Sequence, residues 1–284
     1  MYSCLDSVIQ HLDAPLEELI PLAAKCGIRG IAPDRRMMED AAYAEKIDNL
    51  RKEYDMEWGL VPTPTSFFEV GDEEFEQGLE EFKRWSNTLN KLGITRCYNH
   101  IIPSDDERDY DENFEWHVKR LKRVGEVVEG IGLNYGLECV GPHDARKCRK
   151  YPFIHTAAGI FALIHEAGTK TGIIYDTYHW FTGSGGNLDD LYYVASQVDK
   201  VVCLHVNDGV AGMRYDEQRD LVRELPMTTG VINARKFISY FQKAGFGGPV
   251  MCEPLWPTIS RFESQATEKS IQELSDAYKR VFEE

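Results

Sequence analysis

The chain has 284 residues, 43% of them hydrophobic, and a formal net charge of −15. This length and composition allow one large domain with a substantial core. The acidic surface repels phosphate, which disfavours nucleic acid as a partner, and no apolar stretch reaches the roughly 18–20 residues that cross a membrane. The amino-terminal MYSCLDS lacks the basic and apolar segments of a signal peptide, so we expect a cytoplasmic protein.

Strand-like and helix-like segments alternate about eight times along the chain. Short apolar segments predict strands at 2–5, 28–32, 57–61, 94–99, 134–139, 172–176, 201–206 and 249–253. Apolar residues at three- and four-residue spacing predict helices between them, at 16–26, 39–54, 73–92, 112–130, 157–167, 188–198, 234–244 and 263–282. Several of these helices are followed by glycine, which favours a helix end.

Eight such units, averaging about 35 residues each, predict an α/β fold of the (β/α)8 TIM-barrel type. A doubly wound open sheet is the alternative, but it brings four separate strand ends to one point less readily. We expect a single domain over residues 1–284, with extended loops at about 140–156 and about 207–231. Long loops that follow strands in such barrels are usually functional.

Four of the predicted strands end in a residue type that binds metal ions. They are spaced 38, 29 and 48 residues apart: Glu138, Asp176, His205 and Glu253. Parallel strands of a barrel end at one face, where such barrels keep their active sites. Three carboxylates and one imidazole favour Mn²⁺, Mg²⁺ or Co²⁺, and less often Zn²⁺. A single acid after a strand more often caps a helix or faces water, so the prediction depends on all four together.

The loops after these strands carry further candidates. His179, three residues after Asp176, is a fifth ligand, a donor to a substrate oxygen or a packed histidine. His143 and Asp144 follow Glu138 on its loop, and Asp144 is a candidate for substrate contact. His143 is either a general base that titrates near neutral pH or a surface histidine.

Four more residues are candidates for substrate contact. Arg214, on the loop after His205, suits a substrate hydroxyl or carboxylate, and His100 lies at the end of the fourth predicted strand. Trp58 and Trp256 lie near strand ends. Their rings suit a sugar or an apolar aglycone, with core packing as the alternative.

The segment 140–156 is basic in an acidic chain. It carries Arg146, Lys147, Arg149 and Lys150, followed by the run YPFI. Because arginine and aromatic residues are enriched at interfaces, we expect an oligomer, either of identical chains or with a small partner subunit that completes the pocket. The alternatives are a lid over the bound substrate and a solvated loop.

These residues and their order resemble the xylose isomerase-like TIM-barrel superfamily, which includes sugar phosphate isomerases and epimerases, ketose 3-epimerases, inosose isomerases and dehydratases, and apurinic endonuclease-type enzymes. The likeness is carried by the segments Glu138, Asp176-Thr-Tyr-His179, His205-Val-Asn-Asp208 and Glu253-Pro254. The insert at 141–156 is also similar to the metal-bearing subunit of C-glycoside deglycosidases. Val140 stands where xylose isomerases themselves have a lysine, which argues against that activity.

The resemblance implies one divalent ion, usually Mn²⁺, held by the four strand-end residues. It implies that Glu138 and Glu253 also form an acid/base pair on opposite faces of the sugar, and that His179 contacts a substrate oxygen. The matching arginine after the metal histidine is offset in this chain, and Arg214 is the nearest candidate.

We therefore predict a metal-dependent isomerase or epimerase that removes a proton next to the carbonyl of a keto sugar or inosose, through a metal-stabilised enediolate. The alternative enzyme is a lyase that uses the same first step for β-elimination on a keto sugar, with His143 as base, as one subunit of a hetero-oligomer. A different class also stays open: a metal-binding barrel without turnover. The expected ligand is a small sugar or glycoside in each enzymatic case.

Overall fold

The computed structural model describes residues 1–282, in which eight parallel strands form one curved sheet. The strands are β1 Tyr2–Leu5, β2 Gly30–Ile31, β3 Glu57–Trp58, β4 Arg96–Ile101, β5 Asn134–Cys139, β6 Gly172–Asp176, β7 Val201–Val206 and β8 Pro249–Cys252. Their order in the sheet is β3-β2-β1-β8-β7-β6-β5-β4. The N–H of Val61 donates to the carbonyl of Arg96 at 2.8 Å, which joins the two outer strands. The predicted TIM barrel is confirmed.

Helices alternate with the strands and cover the outside of the barrel. They are α1 Leu16–Lys25, α2 Arg36–Glu39, α3 Ala41–Glu53, α4 Asp72–Leu92, α5 Tyr110–Ile131, α6 His143–Lys147, α7 Ala157–Ala167, α8 Thr177–Ser184, α9 Leu188–Ala195, α10 Ala234–Ala244, α11 Thr258–Glu263 and α12 Thr267–Phe282. The main core lies between sheet and helices. None of the described helices is long and apolar enough to cross a membrane.

Two predicted helices begin later than expected, each preceded by a short helix, and two further helices lie where loops were predicted. The helix expected at 39–54 is interrupted at Asp40, whose carboxylate accepts hydrogen bonds from the N–H groups of Ala42 and Tyr43 and so begins a new helix. The helix expected at 263–282 is α12, which begins at Thr267, and α11 precedes it at Thr258–Glu263. Helix α8 follows β6 directly and α6 follows β5 after three residues, both over segments too short for a periodic pattern to show.

The insert at 140–156 packs against its own barrel. Tyr151–Pro152 pairs antiparallel with Ser104–Asp105, and Phe153 and Ile154 are buried in the main core. The apolar part of the run YPFI is therefore not an exposed docking surface, because its two largest apolar side chains are covered by the chain itself. The expected oligomer stays a prediction.

One buried histidine anchors this insert to α5. The His117 ring lies 5.3 Å from the Phe68 ring and 4.6 Å from the Phe153 ring, measured between centroids. Its Nδ1 donates to the carbonyl oxygen of Asn113 at 2.8 Å. Burial lowers the pKa of His117 to about 4, so this side chain stays neutral in the folded protein well below the pH at which a free histidine is protonated.

We predict that His117 makes the fold acid-sensitive. The unfolded chain binds a proton near pH 6.5, whereas the folded chain does so only near pH 4. Stability is therefore lost as pH falls through this window, by roughly 3 kcal/mol in all. Between pH 7.5 and pH 4.5, the free energy of unfolding measured in urea should fall by more in the native chain than in His117→Gln. Equal differences in the two proteins would contradict the prediction.

Candidate metal centre

Four buried side chains converge at the carboxyl end of the barrel. Glu138, Asp176, His205 and Glu253 each offer a ligand atom, and these atoms all lie within 4.8 Å of one another. They come from β5, β6, β7 and the residue after β8, which are neighbouring strands of the sheet. The register places Asp176 directly beside His205. The sequence expectation that these four strand ends meet is therefore matched by the geometry.

The imidazole of His205 faces two of the carboxylates. Its Nδ1 lies 3.1 Å from Oε1 of Glu138 and 3.6 Å from Oε2 of Glu253. Its ring packs edge-on against Tyr98, with centroids 5.5 Å apart. Although burial opposes protonation, the neighbouring carboxylates raise the pKa of His205 well above its usual range. The histidine therefore points its Nδ1 into a strongly negative space.

The donor set fits a divalent cation. Three carboxylates are buried around one point, and Arg223 is the only guanidinium that reaches them within residues 1–282. Oε2 of Glu138 is buried and lies 3.2 Å from Nε2 of His100. Buried charges need compensating charge or ligation, and an oxygen-rich set with one imidazole suits ions of the Mn²⁺, Mg²⁺, Co²⁺ or Zn²⁺ type.

Asn207 ties two of the four residues together. Its side-chain N–H donates to Oδ2 of Asp176 at 2.7 Å, and its side-chain oxygen accepts from the backbone N–H of Glu253 at 3.1 Å. Such an outer hydrogen bond fixes the orientation of a ligand carboxylate.

Asp176 also begins helix α8. Its Oδ1 accepts hydrogen bonds from the backbone N–H groups of Tyr178 and His179, at 2.5 and 2.9 Å. This is the side-chain cap that a helix start requires, so His179 lies on a helix rather than on the predicted loop. Burial, opposed by Arg223, raises the pKa of Asp176 to about 7.

Arg223 is a site residue that the sequence reasoning missed. It is 4% exposed, and its Nη1 donates to Oε2 of Glu253 at 2.6 Å and lies 3.7 Å from Oδ2 of Asp176. Nη2 pairs with Asp220 at 3.2 Å. Burial opposes ionisation of Glu253, but the Arg223 guanidinium lowers the pKa of that carboxyl to about 2.

A pair of short strands positions Arg223 at the site. Val222–Arg223 pairs with Trp256–Pro257 just after the Glu253 strand. Asp208 fixes the same loop, because its carboxylate accepts from four backbone N–H groups, those of Gly209, Thr229, Gly230 and Ile232, at 2.8–2.9 Å. No local motif marks Arg223, since its position depends on pairing between distant segments.

His179 is held with one ring nitrogen facing the site. The backbone N–H of Gly141 donates to Nδ1 at 3.0 Å, so the neutral ring carries its hydrogen on Nε2. Burial and the guanidinium of Arg223 lower the pKa of His179 to about 3. A Cβ on Gly141 would meet the His179 carbonyl oxygen at 2.4 Å, so only glycine permits this approach. His179 is thus a neutral hydrogen-bond donor across the working pH range.

The other candidates on the loops lie farther out. Arg214 is 70% exposed and forms an ion pair with Asp216, at 2.6 Å. Asp144 is exposed and accepts from the backbone N–H of Asp220. His143 is half-buried at the start of α6, and no hydrogen bond joins it to the four converging side chains in the described chain. The structure therefore does not bring Arg214 to the cluster and offers Arg223 instead.

The aromatic candidates and His100 also have distinct positions. Trp58 packs in the core outside the barrel, where its indole N–H donates to the carbonyl of Leu92 at 3.1 Å, so it does not face the site. Trp256 is 58% exposed, on the strand that pairs with Val222–Arg223. His100 lies beside the cluster, because the sheet register pairs it with Glu138. Its Nε2 is 3.2 Å from the carboxylate Oε2.

Comparisons with known proteins identify the family. A sequence profile described as Xylose isomerase-like TIM barrel matches residues 20–280, and the chain therefore belongs to this family. A xylose isomerase domain protein from Alicyclobacillus acidocaldarius has a similar structure, with TM-score 0.80, 24% identity and coverage of 99% of this chain and 98% of that one. Comparison with curated proteins gives no match.

Two other solved structures have the same fold. The IolI protein with a bound zinc atom has TM-score 0.76 at 18% identity, covering 99% of this chain and 98% of its own. A D-psicose 3-epimerase from Clostridium cellulolyticum H10, solved with D-tagatose, has TM-score 0.75 at 14% identity, covering 99% of this chain and 100% of its own. At these identities the likeness establishes the shared barrel.

The first prediction from this geometry concerns metal content. The purified protein should hold about one divalent ion per chain, and His205→Ala or Asp176→Ala should lower that occupancy, because each removes one of four ligands. Asp216→Asn is the matched control, since that carboxylate lies outside the cluster. Elemental analysis and calorimetric titration measure the effect. Full occupancy in both alanine variants would contradict the assignment.

A second prediction concerns Arg223. In chelator, Arg223→Met should lower the free energy of unfolding by about 3–5 kcal/mol, because it leaves the buried carboxylates without their partner charge. Arg214→Met removes an exposed pair and should change it by less than about 1 kcal/mol. Urea denaturation compares the two variants. Similar small losses in both would show that Arg223 does not compensate the cluster.

Proposed function

We propose that this member of the xylose isomerase-like TIM barrel family is a divalent-metal-dependent isomerase or epimerase of keto sugars or inososes. The observation that carries the proposal is the buried set Glu138, Asp176, His205 and Glu253 at the carboxyl end of the barrel. Support comes from structures of the same fold, one a D-psicose 3-epimerase with D-tagatose and one holding a zinc atom.

The four residues of this set would hold the ion, with Mn²⁺ the first candidate and Mg²⁺, Co²⁺ or Zn²⁺ as alternatives. When bound, the ion supplies a Lewis acid that polarises the substrate carbonyl. Carboxylate oxygens dominate the set, which favours Mn²⁺ over softer ions.

Glu138 and Glu253 are the proposed acid/base pair. Each carboxylate has an oxygen close to the centre of the cluster. Oε2 of Glu138 is buried and lies 3.2 Å from Nε2 of His100, and this carboxylate is the proposed acceptor of the carbon-bound proton next to the carbonyl. Oε2 of Glu253 is held by Arg223 at 2.6 Å, which keeps this carboxylate ionised and fixed in direction.

His179 is the proposed donor to a substrate oxygen. Its Nδ1 is occupied by the Gly141 N–H, and the adjacent Arg223 guanidinium cannot accept a hydrogen bond. Nε2 lies 3.2 Å from Nη2 of Arg223, and its hydrogen is the one that a substrate oxygen would accept. Because this imidazole is neutral, it positions the sugar without taking its proton.

Elimination begins with the same proton abstraction as isomerisation, but a leaving group then departs from the adjacent carbon. It needs a further acid or base, and His143 is the candidate of this kind on the insert. Near the start of the insert, the backbone N–H of Gly141 bonds directly to His179, so His143 is two residues from the site wall. This placement keeps the lyase as the second candidate.

Deuterium exchange tests the proposal. We expect Mn²⁺-loaded protein in D₂O to introduce deuterium next to the carbonyl of a ketose or inosose, as read by NMR. Glu253→Gln keeps an oxygen donor but removes the base, and it should slow the exchange by roughly 10²–10⁴-fold. Absence of exchange with ketoses, inososes and 3-keto glycosides, in protein of full metal content, would favour a binding barrel without turnover.

His143→Ala separates the two enzymatic candidates. An isomerase should lose less than about tenfold in kcat, because His143 takes no part in proton transfer. A lyase should lose roughly 10²–10⁴-fold, the usual contribution of a positioned base. Release of an aglycone or of a dehydrated sugar, together with the larger loss, would overturn the isomerase assignment.

A further inference from the structure

A cavity opens beside the metal centre, at the carboxyl ends of β1 to β4. Its volume is about 410 Å³, within the range of about 300–1,000 Å³ of small-molecule sites. Tyr98 and His100 line it and also contact the cluster, through His205 and Glu138 respectively. A substrate whose carbonyl lies at the metal centre therefore has this cavity for the rest of its structure.

The cavity wall is mostly apolar. Ile9, Leu60 and Tyr98 pack together in the cluster that fills the barrel interior. Pro33 and Pro62 continue the wall, and Val8 stands exposed at the rim. Such a surface releases water favourably only when an apolar group covers it.

Several polar side chains in the wall are already paired with one another. The Asn99 amide N–H donates to Oγ1 of Thr63 at 2.9 Å, and its oxygen accepts from the Tyr135 hydroxyl at 2.7 Å. Thr63 in turn donates to the carbonyl of Thr65 at 3.0 Å. Asn99 and Thr63 are thereby occupied and do not bind the hydroxyls of an unmodified sugar, and a buried hydroxyl without a partner is unfavourable.

The charges around the cavity disfavour an anion. Asp6 and Asp34 line it, and the carboxylate of each accepts hydrogen bonds from backbone N–H groups of its own loop. Arg35 also lines it, but its three guanidinium nitrogens are bonded to Glu39, to the carbonyl of Pro64 and to Glu81. A phosphate here would meet two carboxylates and one arginine whose charge is already neutralised.

We infer that the substrate is an uncharged keto sugar that carries an apolar substituent, an alkyl or aryl group seated in this cavity, and not a sugar phosphate. The inference rests on the proposed function and adds the substrate class to it. The metal centre binds the polar carbonyl end, and the cavity on β1 to β4 binds the apolar end.

Three compounds that share one ketone and differ at the far end test this inference. They are a hexulose, its 6-O-benzyl ether and its 6-phosphate. With Mn²⁺-loaded protein in D₂O, we expect the benzyl ether to exchange with kcat/KM at least about tenfold above the hexulose, since even small apolar groups in a pocket discriminate by about that much. The phosphate should fall at least about tenfold below the hexulose.

Variants of residues in the cavity wall test whether this cavity causes the preference for the benzyl ether. Ile9→Asn places an amide in the wall and should lower the benzyl preference severalfold, whereas Leu188→Asn, on α9 away from the cavity, should leave it unchanged. Asp34→Asn removes one carboxylate and should reduce the difference in kcat/KM between the hexulose and its 6-phosphate. A benzyl preference that survives Ile9→Asn undiminished would overturn the assignment to this cavity.

The outcomes separate this inference from the proposed function. Exchange with the hexulose or its phosphate as the best substrate keeps the proposed function and overturns the apolar substrate. If none of the three exchanges, the proposed function fails for these ketoses, and calorimetric binding of the same compounds decides the inference. Tighter binding of the benzyl ether then supports it, and equal binding or tighter binding of the phosphate overturns it.

Discussion

The burial of three carboxylates around one point is the constraint on which the site depends. Glu138, Asp176 and Glu253 have ligand atoms within 4.8 Å of one another and of His205, where their mutual repulsion is weakly screened. Such a cluster persists only when cationic charge enters it. Arg223 supplies part of that charge, and the remaining negative charge defines the space that suits a divalent ion.

Hydrogen bonds fix the loop from Asp208 to Ile232 in a conformation that holds Arg223 at the site. The Asp208 carboxylate fixes the backbone from Thr229 to Ile232, and its own backbone pairs with Glu224 in both directions, at 2.9 and 3.0 Å. The strand pairing of Arg223 with Pro257 also holds this loop in place. A long loop is thereby made rigid by hydrogen bonds rather than by a core of its own.

The two halves of the barrel mouth differ in chemistry. Strands β5 to β8 carry the four ligands, whereas β1 to β4 carry an apolar wall with internally paired polar groups and, at its edge, Asp6, Asp34 and Arg35. His100 stands at the boundary, beside Glu138 on the neighbouring strand. Under the proposed function, the half with the four ligands would hold the reacting carbonyl and the other half would hold the remainder of the substrate.

The sequence alone determined the barrel and its four converging residues, because each ligand directly follows an apolar strand and parallel strands end at one face. Tertiary structure decided the rest. Arg223 reaches the site because its segment pairs with a segment more than thirty residues away. Arg214 lies on the loop after His205, where the arginine was expected, but its side chain is exposed and pairs with Asp216. Trp58 faces the outer core because alternate residues of a strand point to opposite sides. Local patterns do not encode such contacts between distant segments.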